Sequence, residues 1–249
     1  MSNRYFLELA YRGDAYAGFQ VQENAHSVQG EVERALQIFF RGKISLTGSS
    51  RTDAGVHALQ NYFHFDYEGE ITERSVYNLN AILPMDVAIR SIRRVRENAH
   101  CRFDAQYRRY RYRVHTRKNP FVHGLSYYFP YTVDIEKMRH AAAMVCSNED
   151  FELFSKRNTQ VKTFRCSIYE SEWRRDGDEI HYIVKANRFL RGMVRGLAGT
   201  MLQVGRGRMT VEEFGGLLAG RGTMARVDFS VPGHGLWLEE VGFEEGYFG

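Results

Sequence analysis

Over the first hundred residues the apolar positions alternate, switch to helical spacing, and alternate again. Tyr5, Leu7, Leu9 and Tyr11 occupy every second position, the period of a half-buried strand. Gly13 and Gly18 punctuate the loop that follows. Ser27 has the residue type of a helix N-cap. Behind it Val28, Val32, Leu36 and Phe39 share one helical face, while Glu31 and Glu33 put negative charge near the positive end of the helix. Lys43 to Thr47 and Gln60 to Asp66 read as further strands. Thr72 caps a short helix through Asn78, and Asp86 to Arg94 reads as a fourth strand. The order β-α-β-β-α-β is that of a ferredoxin-like half.

A second half begins near Tyr107. Alternation places Arg108, Tyr110, Tyr112 and Val114 on one side of a strand and Tyr107, Arg109, Arg111 and Arg113 on the other. Asp134 caps a helix with Met138, Ala141, Ala142 and Val145 on its apolar face. Phe164 to Arg174 and Glu179 to Ala186 form a hairpin around Asp176-Gly177-Asp178. Arg188 to Gln203 and Val211 to Ala219 read as helices, and Gly235 to Phe243 as a closing strand. The pattern predicts an α+β fold: two ferredoxin- or RRM-like halves, residues 1–105 and 106–249, sharing a largely antiparallel central sheet. No tandem repeat and no Pro/Gly/Ser-rich linker separates them.

With 43% hydrophobic and 26% charged residues, the 249-residue chain has the balance of a soluble globular protein. No apolar run nears the roughly 20 residues that span a bilayer, and Met1-Ser2-Asn3-Arg4 leads straight into strand sequence, so a cytoplasmic protein without a membrane partner is expected. Cys101, Cys146 and Cys166 are too scattered for a disulfide framework or a zinc site, and buried reduced thiols are expected. The net charge of +4 is mild, but arginine is clustered at Arg93-Arg94-Val95-Arg96, Arg108-Arg109, Arg188 to Arg195 and Arg206-Gly207-Arg208. Clustered arginine among many aromatic residues suits phosphate binding with base stacking; it equally describes solvated faces.

The densest chemical signal is Gly48-Ser49-Ser50-Arg51-Thr52-Asp53-Ala54-Gly55-Val56-His57-Ala58. Small residues bracket an Arg-x-Asp, in which a nearby cation keeps the carboxylate ionised. Such a pair fits two roles, an ion pair that fixes a loop or an oriented nucleophile or base, and spacing alone favours the ion pair. His57 invites a hydrolase reading, yet no Ser or Cys nucleophile motif accompanies it. His26, His64 and His181 have no ligand-like company.

This stretch resembles the signature loop of the bacterial tRNA pseudouridine synthase A family. The resemblance continues through Tyr11-Arg12-Gly13, Gly18-Phe19-Gln20-Val21-Gln22, Ser27-Val28-Gln29, Asn80-Ala81-Ile82-Leu83-Pro84, Arg108-Arg109-Tyr110-Arg111-Tyr112, Asn187 to Arg195, and Gly235-Leu236-Trp237-Leu238. It implies Asp53 as the catalytic aspartate, Tyr110 as the tyrosine stacking on the target base, Arg195 as the arginine paired with the aspartate, and Arg51 as the arginine holding the uridine out of the helix. It implies an isomerase that makes pseudouridine at positions 38, 39 and 40 of the tRNA anticodon arm as a homodimer. The reaction is redox-neutral and needs neither cofactor nor metal; Gly42-Lys43 lacks the context of a phosphate-cradling loop. Phe19 stands where the family usually has tryptophan, Arg12 where it has an acidic residue, and Ser50 where it has glycine. The alternatives are a catalytically inactive RNA-binding or RNA-folding paralogue of the same fold, and a nucleoside hydrolase.

Overall fold

The computed structural model describes residues 2–156, 161–221 and 224–248. The chain divides into two compact units, Met1–Gln106 with Leu238–Gly249, and Tyr107–Trp237. The first unit is discontinuous in sequence.

In the first unit β1 (Asn3–Tyr11) lies between β3 (His57–Tyr67) and β4 (Val87–Val95), antiparallel to both. Residues 238–242 of β9 (Leu236–Gly242) extend this sheet beside β3. Tyr5 faces Phe65 across the ladder and Leu7 faces Phe63, so the alternating apolar positions form one continuous face. Val28, Val32, Ala35 and Leu36 of α1 (Val28–Phe40) and Leu79 of α2 (Glu73–Ile82) complete that core. Phe39 is only half-buried. Ser27 caps α1 by accepting from Gly30 N at 3.2 Å. The opposite face of the sheet sets aromatic rings among polar side chains such as Glu8 and Gln60, which share a hydrogen bond of 3.1 Å. There Phe6 and Tyr62 lie under Phe243 and Phe248, with Tyr247 beside Phe6. Each such aromatic pair adds about 0.5–1.5 kcal/mol beyond its buried area.

The strand expected at Lys43 to Thr47 is much shorter, with β2 spanning Thr47–Gly48 only. Side chains of α1 take the backbone groups that a longer strand would need: Glu33 accepts from Leu46 N at 3.1 Å, and Gln29 donates to Leu46 O at 3.1 Å. The helix α2 runs to Ile82, beyond the expected Asn78.

In the second unit β5 (Tyr107–His115), β8 (Glu179–Ala186) and β7 (Ile168–Asp176) form an antiparallel sheet in that order. Arg108, Tyr110, Tyr112 and Val114 are buried while their alternate neighbours are half-exposed, as the period-two pattern predicts. A two-residue strand, β6 (Tyr127–Tyr128), pairs parallel to β5 and has no counterpart in the hydrophobic pattern. The helix α3 (Ile135–Val145) buries Met138, Ala141, Ala142 and Val145 and is capped by Asp134, which accepts from Glu136 N and Lys137 N at 3.1 Å.

Residues 164–166, expected to open β7, instead bond back to 149–151: Cys166 N donates to Glu149 O and Phe151 N to Phe164 O. The helix α4 is Met193–Gly205, not Arg188 to Gln203. Gly192 precedes it with φ 74°, a left-handed conformation that stops the helix from extending backwards. Buried on nearly all sides, α4 sits inside this unit. It is followed by α5 (Val211–Leu218). The class is α+β, with five α-helices and mostly antiparallel strands among the described residues.

Candidate active site

The loop carrying Asp53 is anchored on both sides. At its start Ser49 N donates to Tyr62 O at 2.8 Å, continuing the β2–β3 pairing. Asn61, wholly buried, donates through Nδ2 to Ser50 O at 2.8 Å and to the Tyr11 hydroxyl at 3.2 Å. That hydroxyl lies 2.8 Å from Thr52 Oγ1. Beyond the aspartate, Val56 N closes a turn on Asp53 O at 3.2 Å, and Val56 and His57 are buried. Asp53 itself is half-exposed, and Arg51 on the same loop is exposed. A carboxylate is thus presented from a backbone pinned two ways, which costs little reorganisation during a reaction.

The loop of Arg12 to Phe19 braces it from beside. Gly13 N donates to His57 Nδ1 at 3.1 Å, so that ring nitrogen is an acceptor. This buried bond ties the two loops together through His57. Phe19 N donates to Thr52 O at 3.1 Å. Gly18 has φ 130°, and a Cβ there would sit 3.2 Å from Thr52 O. Tyr16 donates to Asp86 Oδ1 at 2.7 Å; burial and that carboxylate push its hydroxyl pKa up.

The three family departures now have places. Phe19 is buried, stacked on Phe63 with ring centroids 4.5 Å apart, and so belongs to the core under the loop. Arg12 is exposed and forms a two-pronged ion pair with Asp14, at 3.2 and 2.9 Å. Ser50 is buried, and its Oγ has no hydrogen-bond partner among the described residues.

In the second unit Tyr110 is buried on β5, its ring edge-on to Phe189 at 5.2 Å. Phe189 belongs to the segment 187–192 leading into α4. That segment is fixed by Asn187, whose Oδ1 accepts from Ser167 N at 2.9 Å and whose carbonyl accepts from Arg108 Nη1 at 3.0 Å. Arg195, half-buried in the first turn of α4, donates through Nε to Val231 O at 2.8 Å. The next carbonyl, Pro232 O, accepts from the Tyr112 hydroxyl at 2.8 Å. Burial holds that hydroxyl well above its usual pKa, so it stays a donor. Of the predicted four, Asp53 and Arg51 therefore share one loop of the first unit, and Tyr110 and Arg195 belong to one unit through Phe189 and α4. The supporting Asn61 was not singled out from sequence, where it stands beside Gln60 in a strand that also carries His64 and Asp66.

The arginine clusters divide. Arg109 is paired with Glu170 at 3.0 Å, Arg113 with Glu179 at 2.9 Å and the exposed Arg96 with Asp104 at 3.3 Å, whereas Arg93, Arg94, Arg191 and Arg208 are exposed. All three cysteines are free, and Cys146 is exposed where a buried thiol was expected. Among the described residues no cluster of three His, Cys, Asp or Glu side chains is placed to hold a metal ion, and no helix is long and apolar enough to cross a membrane.

The comparisons with known proteins place this α+β chain in the class of tRNA pseudouridine synthases: a family model described in those words matches residues 141–244. Proteins called "tRNA pseudouridine synthase A" are similar to it over nearly the whole length. That of Parabacteroides distasonis is 42% identical over 247 residues, covering 98% of both chains. Those of Bacteroides fragilis and Staphylococcus aureus are 40% and 37% identical, covering 98% and 97% of this chain and 98% and 91% of theirs. The chain belongs to the tRNA pseudouridine synthase A family.

Proposed function

We propose that Asp53 carries the chemistry of this enzyme, an isomerase that converts uridine to pseudouridine in tRNA, and that its targets are uridines 38, 39 and 40 of the anticodon arm. The single observation supporting Asp53 is its setting: a half-exposed carboxylate between Thr52 and Val56, both buried and hydrogen-bonded in place. The reaction breaks the bond from uracil N1 to ribose C1′, joins C1′ to C5, and releases the C5 proton to solvent while N1 gains one. Asp53 starts it by attack at C1′, or by taking the C2′ proton to give a glycal. Tyr110 gives an aromatic face to the flipped base, a contact worth roughly 1–3 kcal/mol. Arg51, exposed beside the aspartate, fills the space the base leaves, and Arg195 supplies the counter-charge of the carboxylate. The enzyme works in the cytoplasm as a homodimer, without cofactor or metal.

The test is tritium release from C5-labelled uridine in tRNA, with tRNA binding measured on the same preparations. Asp53→Asn keeps the side-chain volume but can act neither as nucleophile nor as base, so turnover vanishes while affinity stays within a few-fold. Release at the wild-type rate would reduce Asp53 to a structural residue. Mapping pseudouridines in tRNA from cells lacking the gene, with and without complementation, checks the three positions.

A further inference from the structure

Residues 227–232 cross the one side of α4 that has almost no side chains. A Cβ on Gly199 would lie 2.3 Å from Asp228 O, and one on Gly196 would lie 2.8 Å from the Phe229 ring. Asp228 ties this segment to the helix. Its backbone N donates to Thr200 Oγ1 at 3.0 Å, and its Oδ2 accepts from Gln203 Nε2 at 2.6 Å. Its other oxygen, Oδ1, accepts from Ser230 N at 2.8 Å and so shapes the bend that follows. The bend ends in two carbonyls with donors from the interior of this unit: Val231 O takes Arg195 Nε and Pro232 O takes the Tyr112 hydroxyl.

We propose that this segment is a strap that aims the Arg195 guanidinium, and that Asp228 is its positioning residue. An arginine side chain has four rotatable bonds, and one fixed Nε–H narrows the orientations open to its planar fork. Asp228 is half-buried, with its charge opposed by burial and sustained by the bonds from Ser230 and Gln203, which together hold its carboxyl below the usual range. Asp228 touches no reacting atom; it acts on Arg195 through two residues of backbone. The inference rests on the role proposed above for Arg195.

A double-mutant cycle tests it. Single-turnover tritium release is measured for Asp228→Ala, Arg195→Lys and the double variant, with tRNA affinity and thermal unfolding recorded for each. Lysine keeps the charge but lacks the planar fork, so it leaves the strap nothing to aim. Asp228→Ala should slow release about ten-fold, the scale of a sub-ångström misplacement, with affinity within about two-fold. Asp228→Asn, which still accepts from Ser230 N, should restore most of the rate. In the Arg195→Lys background the alanine should cost less than about two-fold. An equal loss in both backgrounds, or no loss in either, overturns the strap and leaves the reading of Arg195 standing. A wild-type rate for Arg195→Lys alone shows that no aimed guanidinium is needed and overturns the strap; the counter-charge, which lysine keeps, is overturned only by a wild-type rate for Arg195→Met. Should Asp228→Ala fail to fold, Gln203→Ala cuts one tie only and enters the same cycle.

Discussion

At the scale of single residues, burial decides which charged states exist. His64 is buried between Phe6 and His100, with its Nδ1 3.2 Å from Cys101 Sγ. Burial first, then His100 and Arg4, push its pKa down to about 4. In the unfolded chain the same imidazole titrates near 6.5. Between those values the unfolded state binds a proton that the folded state refuses. The contribution of this site to stability is therefore complete above about pH 6.5 and is lost as pH falls toward 4. Thermal midpoints measured from pH 7.5 to 4.5 should fall for the wild type and fall less for His64→Asn, which keeps an acceptor near the Nδ1 position. Identical slopes would show that the acid sensitivity arises elsewhere. The other buried histidine of note, His57, could not be assigned from spacing, because four residues from Asp53 is equally compatible with catalysis and with the bond to Gly13 N that it makes.

At the scale of elements, the parts legible in the sequence are those stabilised by their own pattern. β5 alternates from Tyr107 to Val114, and α3 combines an Asp134 cap with an apolar face, so local chemistry and packing agree. The parts that differ are held by distant groups. β2 is short because Gln29 and Glu33 of α1 claim the backbone of Leu46, β7 starts late because residues 164–166 bond to 149–151, and α4 starts late because Gly192 is left-handed. No hydrophobic period encodes these contacts. The Asp53 loop was legible as chemistry but not as geometry, since its bracing by Gly18 depends on an approach between residues far apart in sequence. Gly18→Ala should therefore be costly for its size. The backbone at φ 130° suits only glycine, and such strain costs on the order of 1–3 kcal/mol. Relief by moving the loop would shift Thr52 and Asp53. Denaturant titration should show the stability loss, and tritium release a rate loss beyond it; a stable variant of normal rate would mean that the two loops are independent.

At the scale of the whole molecule, a modest net charge of +4 conceals two kinds of arginine. Those paired to carboxylates, such as Arg109 with Glu170, must give up that partner to meet a phosphate; the exposed ones, such as Arg208, can neutralise a phosphate and release the cations condensed on the RNA. tRNA affinity should fall steeply with salt, with a log–log slope of about −0.7 to −0.9 per neutralised phosphate. If its surface meets the RNA backbone, Arg208→Gln removes about one such contact, whereas Arg109→Gln leaves the slope unchanged. A slope insensitive to Arg208 would move the RNA path elsewhere on the protein. The division of the chain has a consequence of another kind. The unit bearing Asp53 is completed by residues 238–242, which take their place beside β3, with Val241 N donating to Gln60 Oε1 at 3.0 Å. During translation the ribosome must make all of the second unit before it reaches them. The nascent first unit waits with the open edge of β3 exposed to passing strands. Its later-born neighbour already has every residue it needs, so the half of the protein that appears first is the last to close.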